Sequence, residues 1–340
     1  MKALVWTEKE KVELQNRPLP DTAGKILIQV AYAGICGSDI SVYLGKHPRA
    51  KAPLIMGHEF VGVVEAIGEG VETDLKKGDK VVVDPLIYCG KCNACLNGNT
   101  HVCRALNLYG TDCDGGMAEY VAVADHTVLK LPEDMDLKTA ALIEPVAVIV
   151  HGLRMIKKNF YTSACITGLG PMGLLAAIML KNSGVNRLFT VETNKKRAEH
   201  ARRLGFEVID PKTEDVVSYI KKRTGGEGVE VFVEASGAPM SAAVMTDITS
   251  VRGEILLLSV FKEPAAVDLR AVNFKEQILV GCRVYTQLDF KDAISYTYNH
   301  ADEISAIISH LHPIEDGQRV FQDMIRGSTE AMKVLFALQQ

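Results

Sequence analysis

Six residues, Gly168-Leu169-Gly170-Pro171-Met172-Gly173, constrain this chain more than any others. They read G-x-G-x-x-G, follow the apolar run at 163–167 and open a helical pattern over 172–183. Glu192 stands nineteen positions after Gly173. A glycine-rich turn between a strand and a helix, with an acid about twenty residues on, is the fingerprint of a dinucleotide-binding βαβ unit. The glycines let the backbone approach a pyrophosphate, and the helix N-terminus stabilises its charge. Glu192 would accept hydrogen bonds from the adenosine ribose and repel a 2′-phosphate, which favours NAD over NADP. Lys195, Lys196 and Arg197 act against that preference, because a cation accommodates the phosphate.

The pattern on either side extends this reading. Strand candidates at 188–192, 229–234, 254–259 and 277–283 alternate with helical stretches at 145–155 and 195–204. Such alternation predicts a doubly wound parallel sheet with helices on both faces, an α/β fold. Before residue 144 the texture is different. Short apolar runs at 25–33, 60–67, 80–83 and 119–124 are punctuated by Gly and Asp, which predicts a small all-β barrel. A tail from 289 holds helical patterns and a last strand-like run at 333–338.

Two groups of residues have the chemistry of metal ligands. Cys89, Cys92, Cys95 and Cys103 fall within fifteen residues. In a 340-residue chain without a secretory signal, that density points to metal rather than disulfides. Four thiolates suit a closed structural zinc site, and an iron–sulfur cluster is the rival. The second group is dispersed: Cys36 in Cys36-Gly37-Ser38-Asp39, then His58-Glu59, then Glu144 before Pro145. A catalytic zinc takes about three protein ligands and keeps one position open. Glu144 lies in the apolar run Ala140-Ala141-Leu142-Ile143-Glu144-Pro145-Val146, where a carboxylate needs a partner.

Composition sets the remaining limits. The chain is 47% hydrophobic and 24% charged, with a net charge of -4, so no basic excess suggests a nucleic-acid or membrane surface. No run approaches the roughly 18 apolar residues of a membrane span. The N-terminus lacks a long apolar region before a cleavage site, and a cytoplasmic location is the expectation.

Taken together, Cys36-Gly37-Ser38-Asp39, Gly57-His58-Glu59, the four-cysteine lobe, residues 114–120, Glu144-Pro145 and 168–173 resemble the zinc-containing medium-chain dehydrogenase/reductase superfamily. Glu-Pro at 144–145 and the run at 281–286 are similar to its polyol branch, the sorbitol, butanediol, threonine and galactitol-phosphate dehydrogenases. The resemblance implies a GroES-like catalytic domain from 1–143 and 285–340, with a structural zinc lobe at about 85–105. A Rossmann domain would occupy 144–284. It further implies Cys36, His58, Glu59 and Glu144 around a catalytic Zn2+, Asp39 fixing the His58 ring, and Ser38 on the substrate oxygen. Cofactor contacts are expected at Gly168, Gly170, Pro171, Met172, Gly173, Glu192, Arg197, Ser259 and Tyr285. The expected partner is a small-molecule polyol or sugar-derived substrate, and the expected assembly a homodimer or homotetramer.

The implied activity is NAD-linked hydride transfer between a secondary alcohol and its ketone. The alternative is a non-catalytic NAD(H)- and zinc-binding sensor on the same scaffold. One departure stands out. The family usually has His five residues after the zinc cysteine, where this chain has Ser41. A proton relay would then run through water, or through His47 if its loop folds inward. Residues 46–51, Lys-His-Pro-Arg-Ala-Lys, form a basic loop that could bind an anionic substrate group.

Overall fold

The computed structural model describes residues 1–157, 161–327 and 331–339, so 328–330 and 340 of the expected tail segment lie outside it. The chain divides into two units, Met1–Ala147 with Thr286–Gln340, and Val148–Tyr285. These divisions fall a few residues later than 143/144 and 284/285. The first lies inside the helix Ile143–Met155, which begins in one unit and ends in the other.

In the first unit, alternation of apolar residues builds a mostly antiparallel sheet. Its order is Val128–Lys130, Lys80–Val83, Glu59–Ile67, Ile26–Gly34, Lys333–Ala337 and Ile308–Pro313, and Tyr120–Val123 pairs with the first half of Ile26–Gly34. A smaller sheet joins Lys2–Glu8 to Lys11–Asn16 and Leu54–Ile55. Both contribute to one apolar core around Tyr43, Phe60, Met117, Phe321 and Phe336. Strand Ile26–Gly34 carries register shifts after Leu27 and Val30, the sites where extra residues bend a strand.

The alignment of three strands positions chemistry. Gly34, the end of one strand, is paired with Glu59, the start of the next, and with Leu335 of the last strand on its other side. Antiparallel pairing therefore brings residue 36 beside residues 58 and 59, and places the start of Lys333–Ala337 alongside. The four-cysteine lobe leaves the sheet after Lys80–Val83 as short pieces, among them a helical turn Asn93–Leu96.

The second unit is a six-stranded parallel sheet. Its order is Val208–Ile209, Arg187–Val191, Ser163–Thr167, Val229–Glu234, Thr249–Leu257 and Ile278–Gly281. In chain order this is 3-2-1-4-5-6, the doubly wound arrangement whose ligands bind where the order reverses. The strand expected at 254–259 starts earlier, at Thr249, and stops at Leu257, so Ser259 lies in the loop beyond it. Among the described residues, no helix is long and apolar enough to cross a membrane.

Candidate active site and metal centres

Cys36 caps the N-terminus of the short helix Gly37–Tyr43. Its backbone N–H donates to Asp39 Oδ2 at 2.8 Å, which folds the Cys-Gly-Ser-Asp turn on itself. The other oxygen of Asp39 faces His58 Nδ1 at 3.5 Å. Both atoms are buried and make no hydrogen bond elsewhere. With Nδ1 turned to Asp39, His58 Nε2 faces Ser38 Oγ at 3.4 Å. A carboxylate behind one ring nitrogen fixes which nitrogen a metal can take. Cys36, His58 and Glu59 each offer a ligand atom, and these atoms lie within 4.8 Å of one another. Burial opposes charge on His58, but Asp39 and Cys36 outweigh it and lift its pKa well above 6.5. A cation bound at Nε2 would displace that proton.

Glu144 does not join this group within the same distance. It is buried in the first turn of its helix, and it shares a neighbour with the cluster, Lys333. Lys333 Nζ is hydrogen-bonded and ion-paired to Glu59 Oε2 and donates to Ile35 O at 3.3 Å. Burial disfavours its charge, but Glu59, Cys36 and Glu144 outweigh that and raise its pKa. Sequence reasoning missed Lys333. Its one signal was a cation at the head of an otherwise apolar strand. Gly34 makes the pair possible, because a side-chain carbon there would collide with the Glu59 carboxylate.

The surroundings bear on two expectations. Ser41 Oγ donates to Gly37 O at 3.3 Å within its own helix, so its proton is engaged. The loop does fold back, since the backbone N–H groups of Lys46 and His47 both donate to Ser41 O, at 2.9 and 3.1 Å. However, His47 Nδ1 accepts from the amides of Arg49 and Ala50, at 3.4 and 3.2 Å. Burial and the Arg49 charge also lower its pKa. That imidazole has no free lone pair for a relayed proton. Arg49 is likewise engaged, pairing with Asp112 at 3.0 Å and donating to Leu106 O. Lys46, Arg49 and Lys51 of the basic loop are all exposed.

The four-cysteine lobe fits zinc by its spacing. Cys92 and Cys95 sulfurs are 3.5 Å apart, Cys92 and Cys103 3.9 Å, and Cys89 and Cys95 4.0 Å. Tetrahedral zinc with a bond of about 2.3 Å has a sulfur–sulfur edge of about 3.8 Å. A multi-iron cluster needs room for its own metal and sulfide atoms between the sulfurs, and these are too close. The thiols also compete for charge. Backbone N–H groups of Cys95 and Arg104 pull Cys92 down to about 6, while burial pushes Cys95 up to about 12. Four thiolates at this spacing require a cation.

In the second unit, Gly168 adopts φ +85° and Gly170 caps the helix Pro171–Asn182 with no side-chain hydrogen bond. The first N–H groups of that helix are therefore left for a ligand. A side-chain carbon at Gly173 would collide with the Gly168 carbonyl. Glu192 accepts from Leu169 N at 2.7 Å and from Asn194 N at 2.8 Å, fixing the turn itself while keeping lone pairs for a ribose. A cavity of about 300 Å³ opens beside it, lined by Gly168, Glu192, Thr193, Asp215, Ser236 and Met240. The Arg197 guanidinium lies over Gly170, 3.5 Å from where a side-chain carbon would be. Ser259 Oγ donates to Glu234, and Tyr285 is fully buried.

The chain is similar to known proteins. Residues 22–133 match the alcohol dehydrogenase GroES-like domain, and 171–297 the zinc-binding dehydrogenase family. A 2-dehydro-3-deoxy-L-galactonate 5-dehydrogenase of Pseudoalteromonas atlantica is 36% identical over 95% of this chain and 94% of its own. The crystal structure of 2R,3R-butanediol dehydrogenase from Bacillus subtilis superposes with a TM-score of 0.89 at 31% identity, covering 99% of both chains. A short-chain alcohol dehydrogenase of Escherichia coli CFT073, complexed with NADH, gives 0.90 at 26% identity over 99% of both. The chain belongs to the zinc-containing medium-chain dehydrogenase/reductase superfamily, in its polyol-dehydrogenase branch, and is an oxidoreductase acting on CH–OH groups.

Proposed function

We propose that this protein is a zinc-dependent, NAD-linked dehydrogenase that interconverts a secondary alcohol of a polyol or sugar acid and its ketone. The observation that carries the reading is the convergence of Cys36, His58 and Glu59 ligand atoms within 4.8 Å, beside Ser38. Those three residues would hold a catalytic zinc, with Glu144 near through Lys333, and the four cysteines would hold a structural one. Bound there, zinc would supply Lewis-acid polarisation of the substrate oxygen, and NAD+ would supply the hydride acceptor. Ser38 Oγ takes the proton of the substrate hydroxyl as it passes its own to water. Ser41 Oγ already donates to Gly37 O and His47 Nδ1 already accepts from two amides of its own loop, which favours water as the next carrier. Asp39 holds the His58 ring, and Lys333 balances the charge of Glu59.

The galactonate-derived substrate named for the Pseudoalteromonas relative carries a carboxylate. A sugar acid is accordingly the preferred class, with Lys46 and Lys51 available to its anionic end. The cofactor would bind the Gly168–Gly173 turn, with Glu192 disfavouring a 2′-phosphate. Thiol-rich zinc sites suit a reducing cytoplasm. The assembly is a homodimer or homotetramer. Strand Ile278–Gly281 has no outer neighbour among the described residues, and Val260, Leu269 and Phe274 nearby in sequence are 90%, 68% and 80% exposed.

NADH production by the zinc-loaded protein against paired neutral polyols and sugar acids tests the function. Turnover is expected, fastest with a sugar acid, and Lys51→Glu should raise KM for the acids alone. Absence of turnover with every alcohol, despite NADH binding and full zinc, would contradict the reading.

A further inference from the structure

Strand Val229–Glu234 ends in a carboxylate that is completely buried. A buried charge is tolerated only when its oxygens are satisfied. Those of Glu234 accept from Ser236 N at 3.0 Å, Gly237 N at 3.1 and 3.2 Å, Ser236 Oγ and Ser259 Oγ. Every one of these partners can donate, the pattern a carboxylate requires. The backbone carbonyl of the same residue accepts from Leu258 N at 2.9 Å and Ser259 N at 3.1 Å. One residue thus ties together the loops that follow the fourth and fifth strands.

Those loops border the cofactor turn. Ala235 N donates to Thr167 O at 3.0 Å, and a side-chain carbon at Gly168 would lie 2.7 Å from Ser236 Cα. Dinucleotides bind across the point where strand order reverses, here between Ser163–Thr167 and Val229–Glu234. By that rule the first three strands would face the adenosine half and the last three the nicotinamide half, with the loop after Val229–Glu234 also lining the cavity beside Glu192. We propose, resting on the NAD reading above, that Glu234 is the positioning residue of the nicotinamide half: it clamps both loops and its negative charge favours the cationic, oxidised nicotinamide over the neutral, reduced one. Nicotinamide gains or loses a formal positive charge in the reaction, so a fixed carboxylate in the half that holds it would act on the two forms unequally.

The test is equilibrium binding of NAD+ and NADH to full-length, zinc-loaded Glu234→Gln, followed by fluorescence, with melting temperature and zinc content measured alongside. The expected result is NAD+ affinity lowered about tenfold or more and NADH affinity lowered severalfold less, because a charge-assisted network and the charge itself are both removed. Ser259→Ala keeps the charge and loosens one loop, so it should weaken both forms equally and leave their ratio unchanged. Equal weakening of both forms in a folded Glu234→Gln, or no weakening, would overturn the proposal. If Glu234→Gln does not fold, the double variant Ser236→Ala with Ser259→Ala decides it: severalfold weaker binding of both forms supports the clamp, and wild-type affinity overturns it. Wild-type protein that binds neither form would refute the NAD reading itself, a result distinct from any change in the variants.

Discussion

The two metal centres of this protein are built in opposite ways. The four-cysteine lobe is local and uniform. Its ligands sit within fifteen residues on a turn-rich loop, all of them sulfur, three of them partly exposed. The Cys36 cluster is assembled at a distance and from mixed chemistry, a thiol, an imidazole and a carboxylate. His58 and Glu59 are buried, and the carboxylate is held by a lysine 274 residues away. Uniform soft ligands close a site and stabilise a loop. Mixed ligands, with a hydroxyl beside them and charged groups behind, leave a position to work with.

If that contrast is right, the lobe should answer to perturbation in folding. Cys92→Ser should release one zinc per chain and open residues 85–105 to proteolysis, since structural zinc contributes on the order of 10 kcal/mol of local folding free energy. Mass spectrometry of the cleavage products checks it. A lobe that stays protected without its metal would erase the distinction.

In the cluster the buried ion pair is the sensitive element. Lys333→Met leaves Glu59 charged and unpaired, and should destabilise the fold by about 3–5 kcal/mol in urea unfolding. The lobe contains no equivalent pair among the described residues. Lys333→Arg, which keeps the charge, should recover part of the loss.

This difference also explains what could be read from the sequence. The lobe and the glycine turn were legible because each is a short, contiguous spacing with one chemical purpose. The ligand pair His58-Glu59 was legible only as a motif, because what brings it to Cys36 is the pairing of Gly34 with Glu59. Lys333 was legible only as a cation at the head of an apolar strand: no local pattern links a lysine near the C-terminus to a glutamate on another strand. Glu234 was hidden for a similar reason, as its partners lie on two loops. A relay through water or through His47 read equally well from position alone, because the contact between the His47 ring nitrogen and the backbone of its own loop leaves no mark in the sequence.

The root of the lobe offers a quieter check. Asp84 lies just after Lys80–Val83, and burial pushes its pKa from 3.8 to about 7. Below about pH 4 it is protonated folded or unfolded and has no effect. Between 4 and 7 the unfolded chain releases the proton and the folded one keeps it, so stability falls as pH rises, then levels off. Asp84→Asn should therefore stabilise the protein increasingly over that window, by at most about 4 kcal/mol above pH 7. Thermal melts across pH 4 to 8 measure this, and a gain independent of pH would refute it.

The mildest effect should come from behind the catalytic cluster. Asp39→Asn keeps the shape of the turn but weakens the hold on the His58 ring. A loss of about 10- to 100-fold in zinc affinity or kcat is expected, with the lobe metal retained. Competition with a chelator reports the affinity.

The role of the Cys36 cluster is decided by Cys36→Ser, with zinc content, melting temperature and alcohol-dependent NADH production measured on one preparation. The variant should fold, keep the lobe zinc, lose the other, and turn over at least about a thousandfold more slowly, the size of a lost Lewis acid. A variant that lost its second zinc and still oxidised the alcohol at the wild-type rate would show that the chemistry lies elsewhere.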